Sequence, residues 1–314
     1  MSRVFITGGT GFVGTNLCHY LTKETDHTFK ASGSNDFDLR DMDESRERIQ
    51  DFFPDCIVHL AGTVGGIGAN QEHPAKFMSD NLSMGMNIVR IASWVKAKLI
   101  MVGTVCSYPK FTPVPFEEDY IWNGYPEETN APYGIAKRTV MELAKTYHYN
   151  YGLNVTNLIP ANMYGRHDNY NPRTSHVIPA LIDRFYKAVE NGEDQVEIWG
   201  TGKASREFLH VSDFCRAVEL SIEKNTGPEP INIGTGQETD IKELVWHIAT
   251  KIGYSGKVVY DHTKPDGQPR RSLDISRAKQ VLGYQPQTTL ATGLDETIKM
   301  YKREQVRNER RILR

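Results

Sequence analysis

A tyrosine and a lysine spaced four residues apart give the first indication of chemistry in this sequence. Tyr133 and Lys137 lie in the segment Tyr-Gly-Ile-Ala-Lys, and on a helix this spacing places both side chains on one face, one turn apart. A nearby ammonium and a ribose hydroxyl can lower the pKa of a phenol, so Tyr133 can deliver or remove a proton at a carbinol oxygen. Thr104, which follows an apolar run, adds a hydroxyl where the substrate oxygen needs a second hydrogen bond.

A glycine-rich turn near the N-terminus predicts a dinucleotide-binding site. The strand-like run 4–6 is followed by Gly8, Gly11 and Gly14 in Thr-Gly-Gly-Thr-Gly-Phe-Val-Gly, and then by a helix-like segment. This context matches the dinucleotide fingerprint, because glycines let the backbone approach a pyrophosphate and a helix N-terminus offers unpaired N–H groups. A tyrosine and lysine four apart also occur by chance on surface helices, so it is their combination with this turn that indicates catalysis.

The segments that must position these residues alternate between strands and helices. Apolar runs at 56–61, 99–103 and 155–159 predict buried strands, and the segments 75–96 and 133–151 predict helices. Continuous apolar strands alternating with amphipathic helices indicate an α/β fold, a Rossmann-type doubly wound parallel sheet covered on both faces. Right-handed crossovers then place the loops after the strands along one edge of the sheet.

The pattern changes after residue 165 and predicts a second, smaller lobe. We expect a nucleotide-binding domain of residues 1–165 plus about 207–235, and a discontinuous α/β substrate-binding lobe of about 166–206 plus 236–314. The charged tail 303–314 is expected to be solvated or frayed. The other predicted elements are a helix at 177–189, short strands at 208–211 and 231–234 that return to the main sheet, and helices at 241–252 and 294–302.

The composition excludes several classes of protein. Charged residues make up 24% of the 314 residues, and 37 Lys and Arg against 39 Asp and Glu offer no global basic surface for nucleic acid or a membrane. No apolar stretch approaches the ~18 residues of a membrane span, and the first residues lack the layout of a secretory signal. The four cysteines are scattered without CxxC spacing. We therefore expect no metal site, no disulfide framework and a cytoplasmic location.

Longer motifs extend the pattern beyond the fold. The glycine turn, the strand-end hydroxyl and Tyr-Gly-Ile-Ala-Lys together resemble the extended short-chain dehydrogenase/reductases. Within that superfamily the sequence is most similar to the GDP-L-fucose synthase family, and the resemblance covers nearly the whole chain. Its most specific motifs are the segments 64–70, 106–109, 162–169, 175–181, 206–211 and 264–267.

The resemblance implies NADPH-dependent conversion of GDP-4-keto-6-deoxy-D-mannose to GDP-L-fucose, by epimerisation at C3 and C5 and reduction at C4. A 4-keto group acidifies the protons on C3 and C5, so epimerisation needs one group that removes a proton and another that returns one. Cys106 and His176 match the family positions for this pair, although a buried thiol and a loop imidazole are also ordinary structural features. For the reduction, the resemblance implies that Tyr133 protonates the oxygen, Lys137 supports it and Thr104 orients the substrate.

The resemblance also implies binding residues. Because the substrate carries a diphosphate, Arg184 and Arg206 suit it, with Lys264 as a further cation, although both arginines are also compatible with surface ion pairs. Trp199 and Asn162 match residues that line the family's substrate pocket. The implied cofactor contacts are Gly8, Thr10, Gly11, Phe12, Val13, Gly14, Asp38, Leu39, Leu60, Ala61, Tyr133, Lys137, Pro160, Asn162 and His176. The implied substrate contacts are Arg184, Trp199, Arg206, Lys264 and Asp266.

Two departures from the family pattern bear on specificity. Typical members have two serines where this chain has Thr104 and Val105, so a methyl group enters the C4 pocket and one possible donor is lost. The segment 31–36 has no acid at the strand end to hold a ribose 2′-hydroxyl, which argues against NAD. It also lacks an arginine for a 2′-phosphate, which leaves Lys30 or Arg40 as candidates, and the NADPH preference rests on the family resemblance.

Two alternatives remain open at this stage. The first is a reductase or epimerase-reductase for another GDP-4-keto sugar, of the colitose or 6-deoxy-heptose type. The second is a non-catalytic relative that uses the fold as a binding or redox-sensing module, against which the presence of both Tyr133 and Lys137 argues. We also expect a homodimer, because relatives commonly pair helices of the nucleotide domain, here the predicted helices at 75–96 and 133–151.

Overall fold

The computed structural model describes residues 1–172, 174–264 and 266–312, and its centre is a six-stranded parallel sheet. The strand order reverses next to the first strand, which defines a topological switch point at the carboxyl ends of the strands. The predicted doubly wound α/β fold is therefore confirmed. In spatial order the strands are β2 (Thr28–Ser32), β1 (Arg3–Thr7), β3 (Cys56–His59), β4 (Lys98–Val102), β5 (Val155–Pro160) and β9 (Pro230–Ile233).

Side chains on the central strands alternate between two buried layers. On β1, Val4 and Ile6 pack into one core and Phe5 packs into the other, and all three are completely buried. Burial of each such side chain contributes roughly 1.5–3 kcal/mol to the free energy of unfolding. Helices must therefore cover both faces of the sheet wherever a strand is apolar on both sides. The helices that cover the sheet include α1 (Phe12–Glu24), α2 (Met42–Gln50), α4 (Pro74–Val95), α5 (Ala131–Tyr151) and α7 (Val211–Glu223), and the short helix α3 (Ile67–Glu72) packs on α4.

Helix α5 carries the predicted tyrosine and lysine, and its ends follow from local sequence. Pro132 lies in the first turn, where its missing N–H costs no intrahelical hydrogen bond. Gly152 ends the helix with a φ of 70°, a left-handed conformation that glycine adopts without strain. One face of α5, which includes Val140 and Ala144, is buried against the sheet. The first turn of α5 is consequently fixed beside the end of β4.

The remaining strands form two small sheets outside the central one. The prediction that 208–211 returns to the main sheet is wrong, because β9 occupies the edge of β5, with Leu158 opposite Ile231. The strand containing Phe208 instead pairs with β6 and β10. The small sheets are β10 (Glu238–Asp240), β8 (Ser205–His210) and β6 (Asn162–Tyr164) in one, and β11 (Lys257–Asp261) with β7 (Gln195–Trp199) in the other. They pack with α6 (Val177–Asn191), α8 (Ile241–Ile252) and α10 (Leu290–Ile312).

The C-terminal segment divides between the two parts of the molecule. Helix α9 (Ser276–Leu282) and Tyr284 are buried in the core of the central sheet, whereas α10 packs in the smaller lobe. Helix α10 is longer than the predicted 294–302 and continues to Ile312, because the charged tail is rich in good helix formers. The tail is therefore helical rather than frayed over 303–312, and the exposed Val306 agrees with a solvated tail. Leu313 and Arg314 lie outside the described residues. The exact domain boundaries stay a prediction.

One class of element can be excluded within the described part of the chain. None of its helices combines the length and the apolar character needed to cross a membrane.

Candidate active site

The glycine-rich turn after β1 forms a close backbone cradle. Gly8 has a φ of 70°, and a Cβ at this position would lie 2.6 Å from the backbone nitrogen of Ala61. A Cβ on Gly14 would lie 2.3 Å from the carbonyl oxygen of Gly8. Helix α1 begins after Gly11, and among the described residues no side chain caps its first N–H groups. The glycines thus keep the turn tightly packed against its own backbone, and the uncapped N–H groups with the helix dipole fit the pyrophosphate of a dinucleotide.

The other predicted cofactor contacts follow the carboxyl ends of the parallel strands. The amide of Leu60, directly after β3, donates to the Thr7 carbonyl at the end of β1 (3.1 Å). Adjacent strand ends are therefore held side by side, and their loops open on one edge of the sheet. The remaining positions are Thr10, Phe12 and Val13 after β1, Leu39 after β2, Ala61 after β3, Pro160 at the end of β5 and Asn162 at the start of β6.

The cations considered for a 2′-phosphate have other partners within the protein. Arg40 pairs with Asp38 (2.7 Å) and with Asp80 (3.0 Å). The hydrogen bonds from Arg40 lower the pKa of the Asp38 carboxyl below its ordinary value. The Nζ atom of Lys30 lies 6.0 Å from the centre of the Phe5 ring. A 2′-phosphate near Arg40 would therefore compete with two carboxylates for the same guanidinium.

Tyr133 and Lys137 occupy the buried start of α5. The Tyr133 ring packs edge-on against Phe77, with 6.3 Å between ring centres. Burial raises the pKa of the Tyr133 phenol, Cys106 raises it further, and the hydrogen bond with Thr104 opposes them. The phenol is thus held protonated, which is the form that can donate a proton.

Lys137 lies one turn further along α5 and points to the end of β4. Its Nζ donates to the carbonyl oxygen of Val102 (3.0 Å). Burial lowers the pKa of Lys137 to about 8, so most of the molecules carry the ammonium at neutral pH. The side chain is only 7% exposed, and its charge is directed to the interior rather than to solvent.

Thr104 and Cys106 lie together on the short 3-10 turn that follows β4, Val105–Ser107. The hydroxyl of Thr104 accepts the N–H of Cys106 (3.2 Å). The Thr104 hydroxyl and the Cys106 thiol both act on the pKa of the Tyr133 phenol, the hydroxyl lowering it and the thiol raising it, so both lie close to that phenol. The structure therefore brings the predicted phenol to the predicted hydroxyl and thiol, although Tyr133 is distant from Thr104 and Cys106 in the chain.

Two residues that the sequence did not single out fix this arrangement. A Cβ on Gly134 would lie 2.2 Å from the carbonyl oxygen of Cys106, so only glycine lets α5 approach the turn so closely. The Ser107 hydroxyl donates to the Gly134 carbonyl (3.0 Å). Gly134 is visible in the sequence directly after Tyr133. Its importance for packing could not be predicted there, because it depends on the position of Cys106 in the fold.

A third residue that the sequence did not single out, Arg271, contacts the predicted thiol. Its Nη1 lies 3.6 Å from the Sγ of Cys106, within hydrogen-bond distance for sulfur. Arg206 lies nearby: burial, and then the charge of Arg271, lower the pKa of Arg206 to about 10, while Cys106 opposes that shift. The sequence signal was weak, because Arg271 follows the segment 264–267 without belonging to it.

His176 immediately precedes α6 and lies on a loop that packs against the segment before α3. The N–H of Gly66 donates to the Thr174 carbonyl (3.2 Å), and the neighbouring Gly-Gly backbone lies against the Phe77 ring, which contacts Tyr133. The loop is therefore linked to Tyr133 through Phe77. Part of the His176 imidazole is exposed, and burial of the rest lowers its pKa. Its role in proton transfer stays a prediction.

Four of the predicted substrate contacts form one group beside β7 and β8. Arg206 donates to the Asp266 carbonyl (3.3 Å), and the Asp266 carboxylate accepts from the N–H and the hydroxyl of Thr201 (2.6 Å each). The Nζ of Lys264 lies 5.5 Å from the centre of the Trp199 ring, which is 63% exposed. Asp266 thus organises a loop, and the exposed indole and lysine lie free for a ligand to pack on.

The last two predicted contacts are held by backbone carbonyls. Arg184 on α6 donates to the carbonyl of Glu197 on β7, and its guanidinium lies at the protein surface. The amide of Asn162 donates to the carbonyl of Glu207 on β8 (3.1 Å). Arg184 is therefore tied to the strand that ends in Trp199, and Asn162 links β6 to the strand that begins beside Arg206.

Comparisons with known proteins agree over nearly the whole chain. The sequence profile of the NAD dependent epimerase/dehydratase family matches residues 4–234. The GDP-L-fucose synthase of Escherichia coli strain K12 is 38% identical, over 97% of this chain and 98% of its own length. The GDP-L-colitose synthase of Yersinia pseudotuberculosis is 34% identical, over 96% of this chain and 98% of its own. The structure of a GDP-L-fucose synthetase from Naegleria fowleri bound to NADP has a TM-score of 0.88 at 28% identity, covering 97% of this chain and 95% of that chain.

Proposed function

The chain belongs to the NAD dependent epimerase/dehydratase family, and on that premise we propose that it is an NADPH-dependent GDP-L-fucose synthase. Its reaction is the conversion of GDP-4-keto-6-deoxy-D-mannose to GDP-L-fucose, by epimerisation at C3 and C5 and reduction at C4. The observation that carries the proposal is the convergence of Thr104, Cys106 and Tyr133 at the junction of β4 and α5. A generic reductase needs the hydroxyl and the phenol, whereas a thiol beside them also equips the site for isomerisation.

Thr104, Tyr133 and Lys137 form what we call the reducing side. Bound NADPH supplies the hydride that C4 accepts. The Tyr133 phenol gives its proton to the C4 oxygen, and the Thr104 hydroxyl holds that oxygen in place. The Lys137 ammonium stabilises the negative charge that then develops on the phenol oxygen.

Cys106 and His176 form what we call the isomerising side. The C4 carbonyl makes the hydrogens on C3 and C5 acidic, so a thiolate can remove one and leave an enolate. The imidazole of His176 returns a proton to the opposite face, and the carbon thereby inverts with no net change in composition. Burial lowers the pKa of His176 below its ordinary value, so the imidazole is mostly neutral at pH 7 and only its protonated fraction can return the proton.

We propose that the GDP part of the substrate lies over the loop that joins β7 and β8. Arg206 and Lys264 supply positive charge for the diphosphate, and the exposed Trp199 ring supplies a flat surface for the base or the sugar. Two cations, Arg206 at the start of β8 and Lys264 in the segment after β11, suit a diphosphate better than a monoanionic substrate. The NADP-bound Naegleria structure supports NADP as the cofactor. We propose that in this chain the pyrophosphate lies at the glycine turn and the N-terminus of α1.

The function is tested by incubating the protein with GDP-4-keto-6-deoxy-D-mannose and NADPH and assigning the product by NMR. We expect GDP-L-fucose, with deuterium incorporated at C3 and C5 when the reaction runs in D₂O. A reduced but unepimerised product would overturn the proposal. A parallel run with NADH, monitored at the nicotinamide absorbance, determines the cofactor preference.

The second candidate is a reductase or epimerase-reductase for another GDP-4-keto sugar. Its support is the relative named GDP-L-colitose synthase, together with the methyl group that Thr104 carries. The same incubation with other GDP-4-keto sugars separates the two, because the true substrate gives the highest kcat/KM.

We further propose that the chain forms a homodimer through the outer faces of α4 and α5. These two helices pack against each other and leave large side chains exposed: Met86, Trp94, Tyr149 and Tyr151. Light scattering of the intact protein tests the dimer, and Trp94→Glu is expected to dissociate it.

We also propose a cytoplasmic location. All four cysteines are free thiols, which is typical of proteins in a reducing compartment, and fractionation of the native host tests the location.

A further inference from the structure

We propose that Arg271 is a positioning residue that stabilises the thiolate of Cys106 and so prepares it to accept a proton from the ketosugar. This inference rests on the proposed epimerisation, in which Cys106 is the base. It assigns a role to a residue that lies far from Cys106 in the sequence and outside every motif named above.

The contact itself is specific. The Nη1 of Arg271 lies 3.6 Å from Cys106 Sγ, with the guanidinium as donor and the sulfur as acceptor. Thiolates, not thiols, act as bases, and neighbouring cations shift the thiol–thiolate equilibrium toward the anion by lowering a thiol pKa to about 3.5–7.5. Arg271 is therefore placed where a positive charge has the largest effect on the sulfur.

The positive charge of Arg271 is not neutralised by its other partner. Its Nε and Nη2 donate to the side-chain oxygen of Gln268 (3.1 and 2.9 Å). The amide nitrogen of Gln268 donates to the carbonyl of Lys110 (2.8 Å), which fixes the orientation of the amide. An uncharged side chain thus holds the guanidinium in position and leaves its charge available to Cys106, whereas a carboxylate at position 268 would cancel it.

The backbone that carries Arg271 is fixed by a buried carboxylate. The N–H of Glu207 donates to the Arg271 carbonyl (3.2 Å). The Glu207 carboxylate accepts from the hydroxyl of Ser272 (3.0 Å) and from the N–H of Leu273 (2.7 Å). Glu207 is 1% exposed, so these bonds are not exchanged with water. The segment after residue 270 is consequently attached to β8 rather than left as a surface loop.

The other groups that face Cys106 do not oppose this effect. From α5 comes the neutral Tyr133 phenol, and from β8 comes Arg206, a second cation. Arg206 is held by the carbonyls of Ser205 (2.7 Å) and Asp266 (3.3 Å), whereas Arg271 contacts the sulfur. The carboxylates of Asp266 and Glu127 also act on Arg206, whereas Arg271 is the charge in direct contact with the sulfur.

The test measures the Cys106 thiol directly, in the full chain saturated with NADP⁺ and without sugar. The rate of iodoacetamide alkylation is followed against pH, and the peptide that contains Cys106 is quantified by mass spectrometry. In Arg271→Gln we expect the midpoint to rise by about one pH unit, so that near pH 6 the wild-type thiol reacts roughly tenfold faster. Arg271→Lys keeps the charge and is expected to restore at least half of that difference.

The matched control is Arg270→Gln, because the adjacent Arg270 pairs with Glu238 instead of the thiol. It is expected to leave the alkylation midpoint unchanged. Equal midpoints in wild type and Arg271→Gln, with both proteins folded by circular dichroism, would overturn the proposal. A higher KM for the sugar with an unchanged midpoint would show instead that Arg271 serves only the diphosphate.

This measurement is independent of turnover, so it separates the two proposals. If the alkylation midpoint shifts but no epimerised product forms, the proposed function fails while the Arg271–Cys106 coupling stands. If the product is GDP-L-fucose and the midpoint does not shift, only the role of Arg271 is refuted.

Discussion

The reducing side and the isomerising side of the candidate site are assembled from different kinds of chain segment. The reducing side comes from one strand end and the helix beside it, and its lysine is buried and bonded to a strand carbonyl. The isomerising side combines a thiol from that same strand end with an imidazole at the start of α6 that is partly exposed to solvent. A scaffold of this kind can keep its reductive chemistry while its isomerising chemistry changes, since the two depend on different segments.

The largest expected effect is on the reducing side. Tyr133→Phe removes the proton donor and is expected to lower NADPH oxidation by about a thousandfold, within the range of general acid catalysis. NADPH binding, followed by fluorescence titration, should change little. Tyr125→Phe, at an exposed tyrosine, is the control and should retain full activity. Substantial turnover in Tyr133→Phe would mean that another group protonates the C4 oxygen.

The next effect separates the two sides. Cys106→Ser is expected to slow deuterium exchange at C3 and C5 by about a hundredfold, because a hydroxyl is a far weaker base than a thiolate. Exchange is measured with NADP⁺ in place of NADPH, so no reduction occurs. Reduction of an already epimerised ketone should fall only a few-fold. If exchange and reduction decrease equally, Cys106 has only a packing role, and the two sides of the site are not chemically distinct. Cys18→Ser, on α1, serves as the matched control.

A substitution at the junction should affect both sides together. The extra methyl of Gly134→Ala would lie 2.2 Å from the Cys106 carbonyl, and the backbone must move to admit it. We expect the free energy of unfolding in urea to fall by about 1–3 kcal/mol, with loss of both activities. At Gly68 a Cβ meets no atom within 4 Å among the described residues, so Gly68→Ala is the control and should be neutral. Unchanged stability in Gly134→Ala would show that α5 and the turn adjust freely.

The smallest effect concerns pH. Lys137 has a pKa of about 8, so its ammonium is present below that value and is lost as the pH rises through it. Reduction of an epimerised ketone is expected to fall about tenfold between about pH 7 and about pH 9, as the charged fraction falls. Deuterium exchange is expected to follow a different pH profile, because it depends on Cys106 and on protonated His176 and not on the Lys137 ammonium. Identical pH profiles for reduction and exchange would show that one titrating group controls both reactions, against the prediction.

The sequence predicted those features that depend on neighbouring residues. A short continuous apolar run such as the one that forms β4 predicts a strand in the middle of a sheet, because both faces of such a strand must be buried. The Tyr133–Lys137 spacing requires only a helix, and the glycine turn requires only a strand before it and a helix after it. The placement of β8 was predicted wrongly, because strand pairing depends on which edge is already occupied, here by β9.

The sequence by itself determined the parallel α/β architecture, the glycine turn between a strand and a helix, and the one-turn spacing of Tyr133 and Lys137, because strand burial, helix periodicity and glycine geometry act over a few residues. Only the tertiary structure decided what contacts the thiol. Arg271 reaches Cys106 because Gln268 and the buried Glu207 hold a distant segment against the end of β4. Such contacts depend on how separate elements pack against each other. The spacing of two residues along the chain does not indicate how far apart they lie in the folded protein.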